Sequence, residues 1–192
     1  MNIIDNLENN SKKFPNKIAI IFEEQKISYK ELHDEVEKIC LKINELDVEV
    51  ISLISENSIL FIITYLGIIK SSRTVHIVHP EISEINFNNQ IKSSNSQTII
   101  CSENIFHNIL KFSKINIPIL KMSKLKEQLK NNKKYLKKNE VAHLIYTSGT
   151  TSIPKGVGIT HNNTTFTIKN IIEVLMDASS VIDIIPLQLY HS

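Results

Sequence analysis

Residues 146–157 read Y-T-S-G-T-T-S-I-P-K-G-V, which crowds hydroxyl residues and glycines around one lysine. Thr147, Ser148, Thr150, Thr151 and Ser152 supply hydroxyls, Gly149 and Gly156 are the glycines, and Lys155 supplies an ammonium. Such a loop can turn backbone N–H groups, hydroxyls and one positive charge toward a single anion. Successive N–H donors in a tight turn form an anion-binding nest, and phosphate is the usual guest. Pro154 fixes its own φ and pushes Ile153 toward extended geometry, which stiffens the loop before any ligand arrives. The stretch is not a Walker A loop, G-x-x-x-x-G-K-[ST] running into a helix. Pro154 stands where that pattern has its second glycine, and Gly156 where it has Ser or Thr.

The elements that must hold this loop can be read on either side of it. An apolar run at 141–146 enters it and a β-type run at 157–160 leaves it, giving strand, loop, strand. Upstream, 17–22 reads as a strand turning through 23–26 toward Ile27. Ser28 and Glu31 have capping-box spacing, and Leu32, Val36, Ile39, Ile43 and Leu46 then recur at helical spacing. A strand at 48–54 and a cap at 56–58 lead into a helix at 58–70. That helix is apolar on nearly every face and is therefore expected to be buried on most sides. Strands at 74–78, 98–101 and 117–120 alternate with helices near 83–93 and from Ser102 to residue 112. This alternation predicts an α/β fold, a mostly parallel doubly wound sheet with flanking helices. Ligands of such sheets sit at the carboxyl ends of the strands, and the hairpin carrying the loop is expected as a decoration on the sheet. Beyond it, Asn162 is the expected N-cap of a helix with Phe166, Ile168, Ile171, Ile172, Leu175 and Met176 on its apolar face. One more strand follows at 181–185.

Size and composition narrow the classes. A chain of 192 residues can bury on the order of 70% of its unfolded surface, enough for a core. Hydrophobic content of 42% and charged content of 22% fit a soluble globular protein. A net charge of +2 is too small to imply a polyanionic partner, and Arg73 is the only arginine, which argues against nucleic-acid reading. Cys40 and Cys101 lack metal-ligand spacing and lie in apolar surroundings, so both are expected as buried free thiols. His76 and His79, three apart on a strand, do not share a face and are read as non-ligands. Residues 1–14 carry no apolar signal core and residues 59–69 are too short to span a bilayer, which makes the cytoplasm the default location. The lysine-rich stretch at 121–138 admits a surface patch for anionic lipid or RNA. The preferred reading is a solvated helix, with Met122, Leu125 and Leu129 as a thin stripe, and a tether into the strand at 141.

The loop resembles the phosphate loop of the AMP-forming adenylating enzymes, written Y-T-S-G-T-T-G-x-P-K-G-V, with Ser152 at a family glycine. That superfamily comprises acyl-CoA synthetases, nonribosomal-peptide adenylation domains and luciferases. Other segments resemble it in order: Ser28 to Leu32 its S-Y-x-E-L, Leu66 to Pro80 its L-G-x-L-K-A-G segment with Ser71 and Ser72 at the family's alanine and glycine. His161 to Asn163 resemble its T-H-x-N helix entry, where His161 is read as a cap-region residue rather than a base. Residues 186–192 resemble P-L-x-H-S of acyl-CoA synthetases with two residues inserted, and for that reason a synthetase is preferred over a peptide-synthetase domain. The resemblance implies that Thr147, Ser148, Gly149, Thr150, Thr151 and Lys155 cradle the phosphates of ATP, with Mg²⁺ bridging them. It implies His191 as an acyl-pocket residue, a carboxylic acid as substrate, and CoA or a carrier phosphopantetheine as the thiol acceptor.

The family's Y-G-x-T-E-like segment, ribose aspartate and C-terminal catalytic lysine have no counterpart in these residues. Residues 1–192 are therefore expected to be a partial AMP-binding domain, with the tether at about 121–138 before the phosphate-loop segment at 141–160. Two functional expectations follow. Either the chain is an N-terminal fragment of an acid-activating ligase, inactive alone, that works with its C-terminal portion in cis or as a second chain, or it is a non-catalytic remnant or pairing module that retains the fold.

Overall fold

The structure is a computed structural model, and it describes residues 3–126, 140–147, 155–174 and 188–190. Its order is α1 (Ile3–Lys13), β1 (Ile18–Phe22), β2 (Gln25–Ser28), α2 (Tyr29–Asn44), β3 (Val50–Ile54), α3 (Ile59–Lys70) and β4 (Thr74–Val78). Then come α4 (Glu84–Ser93), β5 (Thr98–Cys101), α5 (Glu103–Phe112), β6 (Ile119–Lys121), a 3-10 helix (Met122–Lys126), β7 (Val141–Thr147), β8 (Lys155–Thr160) and α6 (His161–Val174). β1 and β2 form a separate antiparallel hairpin, while the main sheet has the order β6-β5-β3-β4-β7-β8. Every neighbouring pair in it is parallel except β7 and β8. The expected α/β, mostly parallel sheet with flanking helices is what forms.

The sheet's two faces follow from its connections. β3 steps to β4 on one side, and β4 steps back past β3 to β5 on the other. Right-handed crossovers place helices on opposite faces when the direction of stepping reverses. Accordingly Ile51, Leu53, Val75 and Ile100 join a cluster with α1, α2, α3 and the 3-10 helix. The alternate residues Ile54, Val78, Ile99 and Cys101 join Phe87 and Ile91 of α4 and Ile105 and Ile109 of α5. α3 is buried along most of its length because α2 covers it opposite the sheet; a Cβ at Gly67 would overlap Ile39, so the two helices meet there.

Local chemistry sets the helix ends. Ser28 and Glu31 form the capping box, with Glu31 N–H to Ser28 Oγ at 3.3 Å and Ser28 N–H to Glu31 Oε2 at 2.8 Å. Ser58 caps α3 through Phe61 N–H at 3.0 Å. α3 ends in a Schellman turn, with Ser72 N–H to Ile69 O at 3.0 Å and Arg73 N–H to Ile68 O at 3.3 Å. Ser72 is left-handed there, with φ 63°, which supplies a physical reason for a glycine at this place. α4 ends the same way through Asn95, φ 54°.

Several expectations need correction. The hairpin is no decoration: β7 lies in the sheet beside β4, with Ala142 packed into the main core and Ile145 buried. The expected solvated helix after Lys121 begins instead as the 3-10 helix, whose Met122 and Leu125 are buried in the main core. Leu129 and the rest of 127–139 lie outside the described residues. α1 went unread amid its asparagines, although Ile4 and Leu7 are spaced to share one face and are buried. Ser102 makes no cap bond to α5, since its hydroxyl donates to Glu56 at 2.8 Å. At α6 the cap is Thr160, not Asn162: Asn163 N–H donates to Thr160 Oγ1 at 3.0 Å, and Thr160 N–H to Asn163 Oδ1 at 3.2 Å. This start turns Phe166 and Ile171 outward, 67% and 52% exposed, and faces Thr164, Thr165 and Ile168 inward.

Candidate functional site

The residues expected to bind phosphate divide between described and undescribed positions. Thr147 and Lys155 are described: they form the closing rung of the β7–β8 ladder. Ser148, Gly149, Thr150 and Thr151 lie outside the described residues, as do Ser152, Pro154 and His191. Because β7 runs parallel to β4 and is in register with it at His76 and Leu144, the rung lies at the carboxyl edge of the parallel strands. That is the edge where doubly wound sheets present their ligands. Lys155 is exposed, so its ammonium keeps its hydration and can meet an anion from solvent.

The second feature of this edge is the crevice between β3 and β4, whose following helices go to opposite faces. Residues 188–190 sit in it. Leu189 N–H donates to Asn57 Oδ1 just beyond β3 at 2.7 Å, and Leu189 packs on the main core. The Tyr190 ring stands edge-on to His79 just beyond β4, with centroids 4.6 Å apart. His79 Nδ1 also accepts Glu81 N–H at 3.0 Å. The topology thus brings the segment adjoining His191 to the same strand edge as Thr147 and Lys155.

Behind the rung is a polar cluster that the sequence reading missed. Ser52 of β3 and His76 of β4 are register partners, and both are fully buried. Ser52 Oγ is 2.8 Å from His76 Nδ1 and 2.6 Å from Ser96 Oγ, which is 2.7 Å from Ser94 Oγ. Burial pushes His76 down to about 4, with the Gln90 side chain opposing, so the ring is neutral at pH 7. The His76 ring meets Tyr146 edge-on at 5.0 Å, and Tyr146 OH is 2.6 Å from Ser93 Oγ on α4. A polar residue at the central position of each of two apolar strands, V-I-S-L-I and T-V-H-I-V, is the signal that could have found it.

Other chemistry-bearing groups are structural. Cys40 and Cys101 are free and buried, and burial raises them to about 11 and about 12, which leaves them inert thiols. Glu8, His33 and Glu37 converge as a metal site might, but the Lys70 ammonium already bonds Glu8 at 2.5 Å and Glu37 at 2.7 Å. Burial works against that charge, yet the two carboxylates outweigh it and hold Lys70 protonated. Arg73 is buried and donates to Val48 O, Asn44 Oδ1 and Ser71 O, tying α2 to the turn after α3.

The profile of the family described as AMP-binding enzyme matches residues 7–192. The chain belongs to that family. Relatives include gramicidin S synthase 2 of Brevibacillus brevis, 27% identical over 155 residues, covering 79% of this chain and 3% of the synthase. Bacitracin synthase 2 of Bacillus licheniformis is 28% identical over 170 residues, covering 81% of this chain and 6% of the synthase. Among solved structures, the O-succinylbenzoate coenzyme A synthetase MenE of Bacillus subtilis, in complex with AMP, superposes with a TM-score of 0.83 at 19% identity. That match covers 100% of this chain and 50% of MenE. The N-terminal subdomain of Klebsiella oxytoca NpsA gives 0.70 at 21% identity over 83% of this chain and 42% of that one. The chain therefore spans a few per cent of these synthases and half of MenE, and it corresponds to the N-terminal part of an adenylating enzyme. Among the described residues no helix is long and apolar enough to cross a membrane.

Proposed function

We propose that this chain is the N-terminal part of an ATP-dependent ligase that activates a carboxylic acid as its acyl-adenylate and passes the acyl group to a thiol. The observation that carries the reading is the Thr147–Lys155 rung at the carboxyl edge of the parallel sheet. It supports a polyphosphate guest because an exposed ammonium and a hydroxyl stand together at the mouth of a seven-residue connection rich in hydroxyls. A MenE structure holds ATP and magnesium ion, and the donor set here suits the same anion. In this reading Thr147, Ser148, Gly149, Thr150, Thr151 and Lys155 bind the ATP phosphates, with Mg²⁺ carried on the phosphates. Charge grows on the leaving pyrophosphate, so donors fixed beforehand stabilise the transition state more than the ground state.

The acid would enter beside residues 188–191 at the β3–β4 crevice, with His191 in the acyl pocket, and the acceptor would be CoA or a carrier phosphopantetheine. Residues 1–192 would be a partial AMP-binding domain, with the lysine-rich stretch at about 121–138 before the phosphate-loop segment at 141–160, and the C-terminal portion would complete the nucleotide site. Carboxylate-dependent ATP–pyrophosphate exchange tests this. The expected result is exchange when the chain is joined to a family C-terminal portion, and loss of at least tenfold in Lys155→Ala, consistent with a charge-assisted contact of about 1.5–3 kcal/mol. No exchange in the joined protein would point to the non-catalytic remnant. Exchange by the 192-residue chain alone would refute dependence on a C-terminal portion.

A further inference from the structure

We propose that Tyr146 is a positioning residue of the anion site, setting where Thr147 and Lys155 stand by clamping both strands of the hairpin to β4 and α4. The inference rests on the phosphate-binding reading above. Tyr146 pairs with Gly156 in the rung next to Thr147 and Lys155. Its ring lies across the backbone of β8: a Cβ on Gly156 would come within 3.0 Å of Tyr146 Cζ and 3.2 Å of its hydroxyl. The same ring stands edge-on to His76 of β4 at 5.0 Å, and its hydroxyl bonds Ser93 Oγ, at the last residue of α4, at 2.6 Å. One side chain therefore touches β8, β4 and α4 while belonging to β7.

Each of those contacts has a firm base. His76 is held by Ser52 at 2.8 Å and Ser96 at 3.4 Å, and Ser93 precedes the Schellman turn through Asn95 that fixes the end of α4. β8 needs such an anchor. Among the described residues it is the edge strand, with β7 as its ladder partner, and Lys155 is its first residue. Strand ends with few buried contacts open most readily. Gly156 is exposed, so the Tyr146 ring gives the start of β8 a second attachment besides the ladder. A cleft of about 530 Å³ adjoins the contact, lined by Gln90, Ser93, Asn95, Leu144, Tyr146 and Gly156. Water can enter there and replace a lost Tyr146–Ser93 bond, so breaking it shifts the ring more than it weakens the fold.

The test is calorimetric binding of inorganic tripolyphosphate to the full 192-residue chain, with thermal unfolding recorded for every variant. Wild-type binding that Lys155→Ala abolishes is the result the phosphate reading must give. Tyr146→Phe and Ser93→Ala should each weaken binding about fivefold, as expected for one hydrogen bond, with little change in melting temperature. The double variant should bind no more weakly than either single one, because both remove the same contact. Ser93→Thr restores the hydroxyl and should restore affinity. If Lys155→Ala loses binding while Tyr146→Phe and Ser93→Ala keep it, the positioning role is wrong and the phosphate reading stands. Stability losses that match the affinity losses, or losses that multiply in the double variant, also overturn the positioning role. A wild-type chain that does not bind tripolyphosphate overturns both.

Discussion

The two faces of the central sheet are built from different materials. Toward α2 and α3 the inner strands present Ile51, Leu53, Val75 and Ile100, apolar groups packed on apolar helices. Toward α4 the same strands present Ser52 and His76 among Ile54, Val78 and Ile99, and the polar pair sits next to Tyr146. Apolar packing is strong but non-directional, so the first face contributes stability and tolerates repacking. Buried hydrogen bonds contribute little net energy, yet they are costly to break one at a time and therefore fix geometry. The directional chemistry lies on the face where Tyr146 of the β7–β8 hairpin meets β4 and α4.

Truncation should separate the faces most sharply. Leu53→Ala removes a fully buried side chain between β3 and α3 and should lower unfolding stability by about 3 kcal/mol in urea denaturation. Tripolyphosphate affinity per folded molecule should stay unchanged. A large affinity change without a stability change would erase the division between the faces.

Acid should act next most strongly, and mainly through the polar face. Folded His76 titrates at about 4 against an ordinary 6.5, so between those values the unfolded chain binds the extra proton. Its contribution is fully present above about pH 6.5 and is lost as pH falls toward 4, amounting to about 3 kcal/mol at most. His143, on the opposite face beside Tyr65, is also held low by burial and by the nearby His161 charge, so it acts with the same sign. Asp34 is held low by its hydrogen bond from Lys30 and loses its contribution only as pH falls through the carboxylate range. His76→Leu leaves Ser52 and Ser96 bonded to each other, 2.6 Å apart, and should flatten the stability profile between pH 6.5 and 4. An unchanged acid limb in that variant would assign the slope to other groups.

The sheet was legible because periodicity and caps are local signals. Ser28 with Glu31, Ser58, and the apolar runs at 50–54 and 74–78 each announce an element within a few residues. What escaped was tertiary. A polar residue inside each apolar run marks Ser52 and His76 singly, but their pairing, 24 residues apart, depends on register across a parallel crossover, which packing sets. Phe166 and Ile171 look like a core face until the Thr160 cap sets the helix's rotation. Composition and motif led to the expectation of an anion site at 147–155, whereas the side chain that touches both strands of the hairpin became visible only once Tyr146 and Gly156 were paired.

The smallest expected effects compare the turns that close α3 and α4, one feeding each side of the sheet. Both are Schellman turns with a non-glycine residue in the left-handed region, Ser72 at φ 63° and Asn95 at φ 54°. A side chain with a Cβ is strained there by roughly 1–2 kcal/mol, and glycine is not. Asn suffers less than Ser, because its short amide can bond locally in this conformation. Glycine also makes the unfolded chain more flexible, which offsets part of the gain. Ser72→Gly should therefore stabilise the protein by about 0.5–1 kcal/mol, and Asn95→Gly by about half that or less. Equal gains at the two turns, measured by urea denaturation, would mean that asparagine holds no advantage over serine at the end of α4.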